Sequence, residues 1–158
     1  MTNKPLSFRM ATVDDVSDIY ELIGRCCMDL RGKSGKSRGS LPAVDVENLI
    51  QQLSEQRSAI ALYQHRIVGY VGVSHVHLED DDWLRMGPIC SLAESSLAGI
   101  SLMKWWKTNY VVQQNYAGLL GYVTNPRVAK LYRYYFSASY REYIRANGEV
   151  LDIMYCRF

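Results

Sequence analysis

Apolar positions along this chain change period several times, and each change marks an element. Val13, Val16, Ile19, Tyr20, Ile23, Cys26 and Cys27 recur at three- and four-residue steps. That spacing lays side chains along one helix face and marks the face as core. Ahead of them Ser7-Phe8-Arg9-Met10-Ala11 reads as a short strand, and Thr12-Val13-Asp14-Asp15 has the form of a capping box, so the helix starts there. A second amphipathic helix runs over Val44, Val46, Leu49, Ile50 and Leu53, after which the period shortens. Ala59-Ile60-Ala61-Leu62-Tyr63 and Ile67 to Val73 are strand-like, and Gln64-His65-Arg66 joins them as a hairpin turn.

Further along, Glu79-Asp80-Asp81-Asp82 breaks the pattern, and Trp83 to Leu92 resumes an extended segment in which Pro88 marks a bulge or an edge. After Ser95 the chain is helical again through Trp105 and Trp106 to about Gln113. Those two tryptophans project about 100° apart on a helix, so one belongs to the core stripe and the other to a rim or interface. Ala117 to Val123 reads as a buried strand and Pro126 to Phe136 as a helix with proline in its first turn. Asn147-Gly148 is a hairpin turn before the strand Val150 to Tyr155. The predicted order is β-α-α-β-β-β-α-β-α-β-β, an α/β (α+β) chain with a mixed, mainly antiparallel sheet of about six or seven strands and about four helices. There is no internal repeat and no linker long enough to divide residues 1–158, which form one predicted domain.

Composition narrows the function. The chain is 48% apolar and 22% charged, and 18 basic residues against 16 acidic ones leave a formal net charge of +2. That balance lacks the overall positive field of a nucleic-acid binder. The segment Leu30 to Pro42 is small, basic and without apolar periodicity, which makes it either a solvated connector or a cationic rim at a substrate entrance. Within it Gly35-Lys36-Ser37 is not a nucleotide P-loop, because Leu30 stands where that pattern requires glycine and a helix precedes it instead of a strand. No apolar run is long enough to cross a membrane and Met1 to Pro5 lacks a signal sequence, so a cytoplasmic location is expected. Cys26, Cys27, Cys90 and Cys156 show no metal-knuckle spacing and are expected as reduced thiols, and no metal site is expected.

The element order resembles that of the GCN5-related N-acetyltransferases, which move an acyl group from coenzyme A to an amine. Two local matches carry the resemblance. At the strand-to-helix turn, where the family shows Gln or Arg, two residues, Gly, one residue, then Gly or Ala, this chain has Ser96-Leu97-Ala98-Gly99-Ile100-Ser101. Gly99 fits, whereas Ser96 and Ser101 depart from the pattern. The second match is Asn125-Pro126-Arg127-Val128-Ala129-Lys130-Leu131-Tyr132, an Asn followed by a helix with Tyr seven residues on. The Gly-Phe that often closes this segment in the family is replaced by Tyr135-Phe136-Ser137. The resemblance spans Phe8 to Phe158.

What it implies is an acyl-CoA-dependent N-acyltransferase, most simply an N-acetyltransferase, with acetyl-CoA as co-substrate and an amine acceptor. The strand containing Ile89 and Ser91 diverges in this family from the strand near Leu119 to Val123, and the pantetheine arm lies in the gap. The pyrophosphate rests on Ser95, Ser96, Leu97, Ala98, Gly99, Ile100 and Ser101, where free main-chain N–H groups and the helix dipole favour an anion. Asn125, Ala129 and Tyr132 complete the cofactor side, and Tyr132 protonates the departing thiolate. No carboxylate lies within Leu84 to Leu92 to serve as base. His75 and His77 are the candidates, since imidazole titrates near neutrality and alternation puts both on one strand face. The rival expectation is a catalytically inactive domain of the same fold that binds a protein partner, supported by Ser96, Ser101 and 12 tyrosines. A homodimer is possible on either reading.

Overall fold

The computed structural model describes residues 6–31, 45–92, 97–110, 115–122 and 126–158. Its elements are β1 (Ser7–Met10), a 3-10 turn (Val13–Asp15), α1 (Val16–Arg31), α2 (Val46–Ser54), β2 (Ala59–Tyr63), β3 (Arg66–Leu78), β4 (Asp81–Ser91), α3 (Leu97–Asn109), β5 (Gly118–Tyr122), α4 (Pro126–Phe136), β6 (Ser139–Ile144) and β7 (Val150–Arg157). This is the predicted order. The strands form one seven-stranded sheet ordered β1-β2-β3-β4-β5-β7-β6. Every neighbouring pair is antiparallel except β4 and β5.

Local chemistry sets the entry to α1. The Asp15 carboxylate takes the Thr12 N–H at 2.8 Å and both terminal nitrogens of Arg9 at 2.8 Å. Arg9 and the Thr12 N–H hold the Asp15 carboxyl below its usual range against the opposing effect of burial. A group with a depressed folded-state pKa stabilises the fold above its unfolded value, near 4, and that contribution is lost as pH falls through the folded value. Asp15→Asn is therefore expected to lower unfolding stability by about 1–2 kcal/mol near neutrality. The gap between the two proteins should shrink below about pH 4, and urea titrations at several pH values measure it directly.

Two helix faces are rotated from the predicted stripes. In α1, Ile19, Leu22, Ile23 and Cys26 are buried, whereas Tyr20 is exposed. In α2, Leu49 and Leu53 are buried, but Val46 and Ile50 are exposed and Gln52 takes their place in the interior at 7% exposure. On α3, Trp106 is fully buried and donates its indole N–H to the Arg57 carbonyl at 2.7 Å. Its neighbour Trp105 lies half-buried against Phe8, with ring centroids 6.0 Å apart.

The acidic run holds a two-residue turn. β3 continues through His75 and His77 to Leu78, Glu79 and Asp80 turn at φ of 50° and 66°, and Asp81 and Asp82 already belong to β4. Gln64 and His65 turn the preceding hairpin in the same way, at 50° and 64°. Two successive residues at positive φ give the turn twist that matches paired strands. At the other end of β4, Val71 pairs with Ile89 and Val73 with Met86, so Gly72 faces both Gly87 and Pro88. This is a bulge at the predicted proline.

Gln52 holds that bulge from the helix side. Its amide donates to the Gly87 carbonyl at 3.0 Å and to the Ser74 hydroxyl at 2.7 Å, and its carbonyl accepts from the Tyr70 hydroxyl at 2.6 Å. A Cβ on Gly72 would lie 2.4 Å from the Gln52 carbonyl oxygen, so only glycine lets α2 approach. Tyr70, Gly72 and Ser74 therefore face α2. Gly69, one step out of phase, faces α3, where a Cβ would meet that of Ala98 at 3.5 Å.

Candidate active site

The parallel pairing between β4 and β5 is very short. Leu84 faces Leu119 and Arg85 faces Leu120, and beyond them the two strands separate. From Met86 to Ser91, β4 pairs only with β3, while Gly121 and Tyr122 of β5 pair only with β7. A wedge-shaped slot opens in the middle of the sheet, and the β4 bulge forms the start of one wall. Ile89 and Ser91 belong to the part of β4 that borders it without a β5 partner, and the Ser91 carbonyl accepts from the Cys26 thiol at 3.3 Å.

Tyr132, from α4, closes the narrow end of the slot. It is 4% exposed, and its hydroxyl donates to the Met86 carbonyl at 3.2 Å. Gly121 provides the space for its ring, since a Cβ there would lie 2.6–2.7 Å from the ring carbons and the hydroxyl oxygen. Burial pushes the phenol well above its ordinary range, and the nearby Arg85 guanidinium opposes this in part. At neutral pH the group is a neutral proton donor.

At the wide end, the first turn of α3 packs down on β3 and β4. Ala98 and Gly99 are buried, and a Cβ on Gly99 would come within 3.3 Å of the Ser91 hydroxyl. Ile100 and Ser101 are half-buried in the same turn, and Ala129 is half-buried against the core from α4. The N–H groups of the first helical residues have no partner within a helix, which favours an anion in front of them. Leu97 opens the helix, while Ser95, Ser96, Asn125 and the basic segment centred on Gly35-Lys36-Ser37 lie outside the described residues.

His75 and His77 share the sheet face of α3 and α4. Both rings contact one oxygen of Asp82, at 2.8 Å from His75 Nε2 and 3.1 Å from His77 Nδ1. The imidazoles hold the Asp82 carboxyl below its usual range. His75 also lies against the Tyr116 ring, with centroids 5.9 Å apart. In register His75 faces Leu84, on the side of the β4–β5 pairing away from the slot, and it is not brought into contact with Tyr132.

Two polar residues at this centre escape a sequence reading. Gln52 fixes the bulge, and the only signal for it is a polar residue inside the apolar helix stripe. Arg85 lies beside Ser74 and Leu120 across three strands, so it projects from the face opposite Tyr132. Its side chain stacks on Tyr122 at 5.1 Å, and among the described residues its buried Nε has no hydrogen-bond partner. Around this centre Cys26, Cys90 and Cys156 carry thiols, and no group of three or more metal-ligating side chains occurs among the described residues. No described helix is long and apolar enough to cross a membrane.

No protein-family profile and no curated protein sequence matches the chain. Solved structures do. A diaminobutyrate acetyltransferase from Paenibacillus lautus, in complex with its substrate L-2,4-diaminobutyric acid and coenzyme A, superposes with a TM-score of 0.70 at 12% identity over 98% of this chain and 96% of that one. A polyamine N-acetyltransferase of Drosophila melanogaster gives 0.68 at 12% identity over 98% of this chain and all of its own. An acetyltransferase of the GNAT family from Streptococcus pneumoniae gives 0.62 at 13% identity with the same coverage. With its split sheet, its bulge and its element order, this chain has the fold of the GCN5-related N-acetyltransferases from one end to the other.

Proposed function

We propose that this protein transfers an acyl group, most simply acetyl, from acyl-CoA to a primary amine by direct attack in a ternary complex. The observation that carries the proposal is the slot between β4 and β5 with a neutral, buried phenol at its narrow end. A coenzyme A complex of a structural neighbour supports the same cofactor. Residues present in this chain fit it: the edge of β4 from Ile89 to Ser91 that turns away from β3 suits the pantetheine amides, and the first turn of α3 from Leu97 to Ser101, with Ser95 and Ser96 before it in sequence, suits the pyrophosphate. Ala129, half-buried on α4, is assigned to the same arm, and Asn125 is assigned to it from the sequence pattern alone. The bound thioester supplies an activated acyl carbon.

In the transfer, the neutral amine's lone pair forms the new C–N bond and the C–S bond breaks with its electron pair on sulfur. Sulfur takes the Tyr132 phenolic proton, and the proton released by nitrogen passes through water to restore the phenol. In this proposal His75 and His77, on the Tyr132 face, take through water the proton that the ammonium form of the acceptor must lose before it attacks, with Asp82 touching both rings.

Titration of the purified protein with acetyl-CoA, free coenzyme A and a dephospho analogue tests the reading. Micromolar binding, worth roughly 7 to 9 kcal/mol, is expected. At a hundredfold excess over Kd it should raise stability by about 2.7 kcal/mol in a thermal-shift series. No stabilisation at concentrations approaching millimolar would overturn the proposal and leave a domain of this fold that acts by binding a protein partner.

A further inference from the structure

The sheet face opposite Tyr132 carries a cavity of about 380 Å3 that no part of the acyl-CoA site uses. Such a volume lies at the small end of the range for ligand pockets, roughly 300–1,000 Å3. Leu120 and Tyr122 of β5 and Leu151 and Ile153 of β7 line it, and Tyr143 and Arg145 border it from the β6–β7 hairpin. The Arg141 guanidinium pairs with Glu79, tying β6 to the β3–β4 turn across the sheet. The lining is mainly aliphatic, and Arg145 is the one arginine in it.

Tyr122 has a guanidinium beside it and shares the cavity wall with a second. Arg85 lies 5.1 Å from its ring centroid, and Arg145 lines the same cavity. Arg145 also pairs with Glu149 at 3.0 Å, which neutralises part of its charge, whereas the buried Nε of Arg85 is without a partner among the described residues. His77 borders the cavity from β3, with its ring turned to Asp82 on the other face of the sheet. None of the lining residues is a carboxylate. A polycation would meet Arg145 in the lining and Arg85 next to Tyr122, while the nearest carboxylate, Glu149, is already paired with Arg145. An anion would gain charge-assisted hydrogen bonds from planar guanidinium groups suited to a carboxylate.

Position narrows the ligand further. Arg85 directly precedes Met86, whose carbonyl takes the Tyr132 proton donor, so a carboxylate on Arg85 lies on the opposite face of the sheet within one residue of the slot. An amine able to reach the slot from there is separated from its carboxylate by one or two carbons. The remaining volume is apolar. We infer that the acceptor is an α-amino acid with an aliphatic or aromatic side chain, its carboxylate held by Arg85 and Arg145 and its side chain placed against Leu120, Leu151 and Ile153. This assignment of the acceptor rests on the acyl-transfer reading.

Calorimetric titration of the full chain with leucine, phenylalanine, their N-acetyl derivatives, the corresponding amides and spermidine tests it. The carboxylates are expected to bind at least tenfold more tightly than the amides, and spermidine is expected not to bind. Arg85→Gln and Arg145→Gln should each reduce that preference by at least tenfold; the second changes an exposed hairpin residue and serves if the first does not fold. Equal binding of acid and amide, no binding of any acid, or preferential binding of spermidine overturns the assignment. Acetyl-CoA binding without acid binding removes only the amino-acid acceptor. Acid binding without acetyl-CoA binding removes the acyl-transfer reading and leaves the cavity's ligand standing.

Discussion

Tyr132→Phe is expected to lower kcat for acyl transfer by about 10²- to 10⁴-fold, the range for loss of a positioned general acid. Acetyl-CoA affinity should stay within about twofold, because the phenol meets the leaving sulfur only as the C–S bond breaks. The fold should survive. Removing the hydroxyl loses its bond to the Met86 carbonyl at 3.2 Å, a cost of about 1 kcal/mol in a site that keeps its aromatic packing against Phe136. Steady-state kinetics at saturating acetyl-CoA, with a denaturant curve on the same preparation, separate chemistry from folding. An unchanged kcat would remove the acid role from Tyr132. Gly121→Ala is a second probe of the same atom, since its Cβ would displace the Tyr132 hydroxyl from 2.7 Å away. It should lower kcat in the same direction.

The other large effect is expected at Gln52, which never touches a reactant. Gln52→Leu deprives the Tyr70 hydroxyl, the Ser74 hydroxyl and the Gly87 carbonyl of one partner at once, in a place where the side chain is only 7% exposed. Leaving buried polar groups unpaired should cost about 3–4 kcal/mol. Because Gly87 belongs to the bulge that starts the slot wall, acetyl-CoA affinity should fall as well. Gln52→Glu separates the two effects: a carboxylate still accepts from Tyr70 but cannot donate to Gly87. If Gln52→Glu restores stability without restoring affinity, Gln52 is a positioning residue for the slot. If both recover together, its role is confined to packing.

The elements themselves were legible because each strand and helix announces its own period. α4 runs from Pro126 to Phe136 as predicted, and Pro88 marks the bulge. Which stripe of a helix faces inward was less legible. Val46 and Ile50 look like core to a periodicity count, yet the polar Gln52 displaces them because a distant backbone carbonyl and two hydroxyls need its amide. The acidic run Glu79 to Asp82 reads as a turn, but nothing local shows that only Glu79 and Asp80 make it or that Arg141 clasps it from five elements later in the chain.

The site divides along the same line. Tyr132 and Gly99 could be found because their local segments resemble the family's patterns. His75 and His77 could be placed on one face but not on a particular one, since alternation carries no information about which layer covers which face. Arg85 gave no local signal at all. Its significance comes from the partner strand leaving at the next residue and from the β6–β7 hairpin arriving on that face, both of which are long-range facts.

The short β4–β5 contact also divides the molecule in an unusually simple way. Every strand on one side of it, β1 to β4, precedes every strand on the other in sequence, and α3 packs with the first group while α4 packs with the second. Along the seam run two register pairs, the Ala117 N–H on the Asp82 carbonyl at 2.9 Å and the Tyr132 bond to Met86, joined by side-chain contacts such as Arg141 on Glu79, Arg85 on Tyr122 and Lys107 on the Tyr135 carbonyl. A chain cut between α3 and β5 thus yields two pieces that each keep a contiguous half-sheet. Their reassociation would rebuild the slot, and a molecule occupying the slot would act as adhesive between them. This architecture suits a split reporter, in which ligand concentration is read out as fragment reunion.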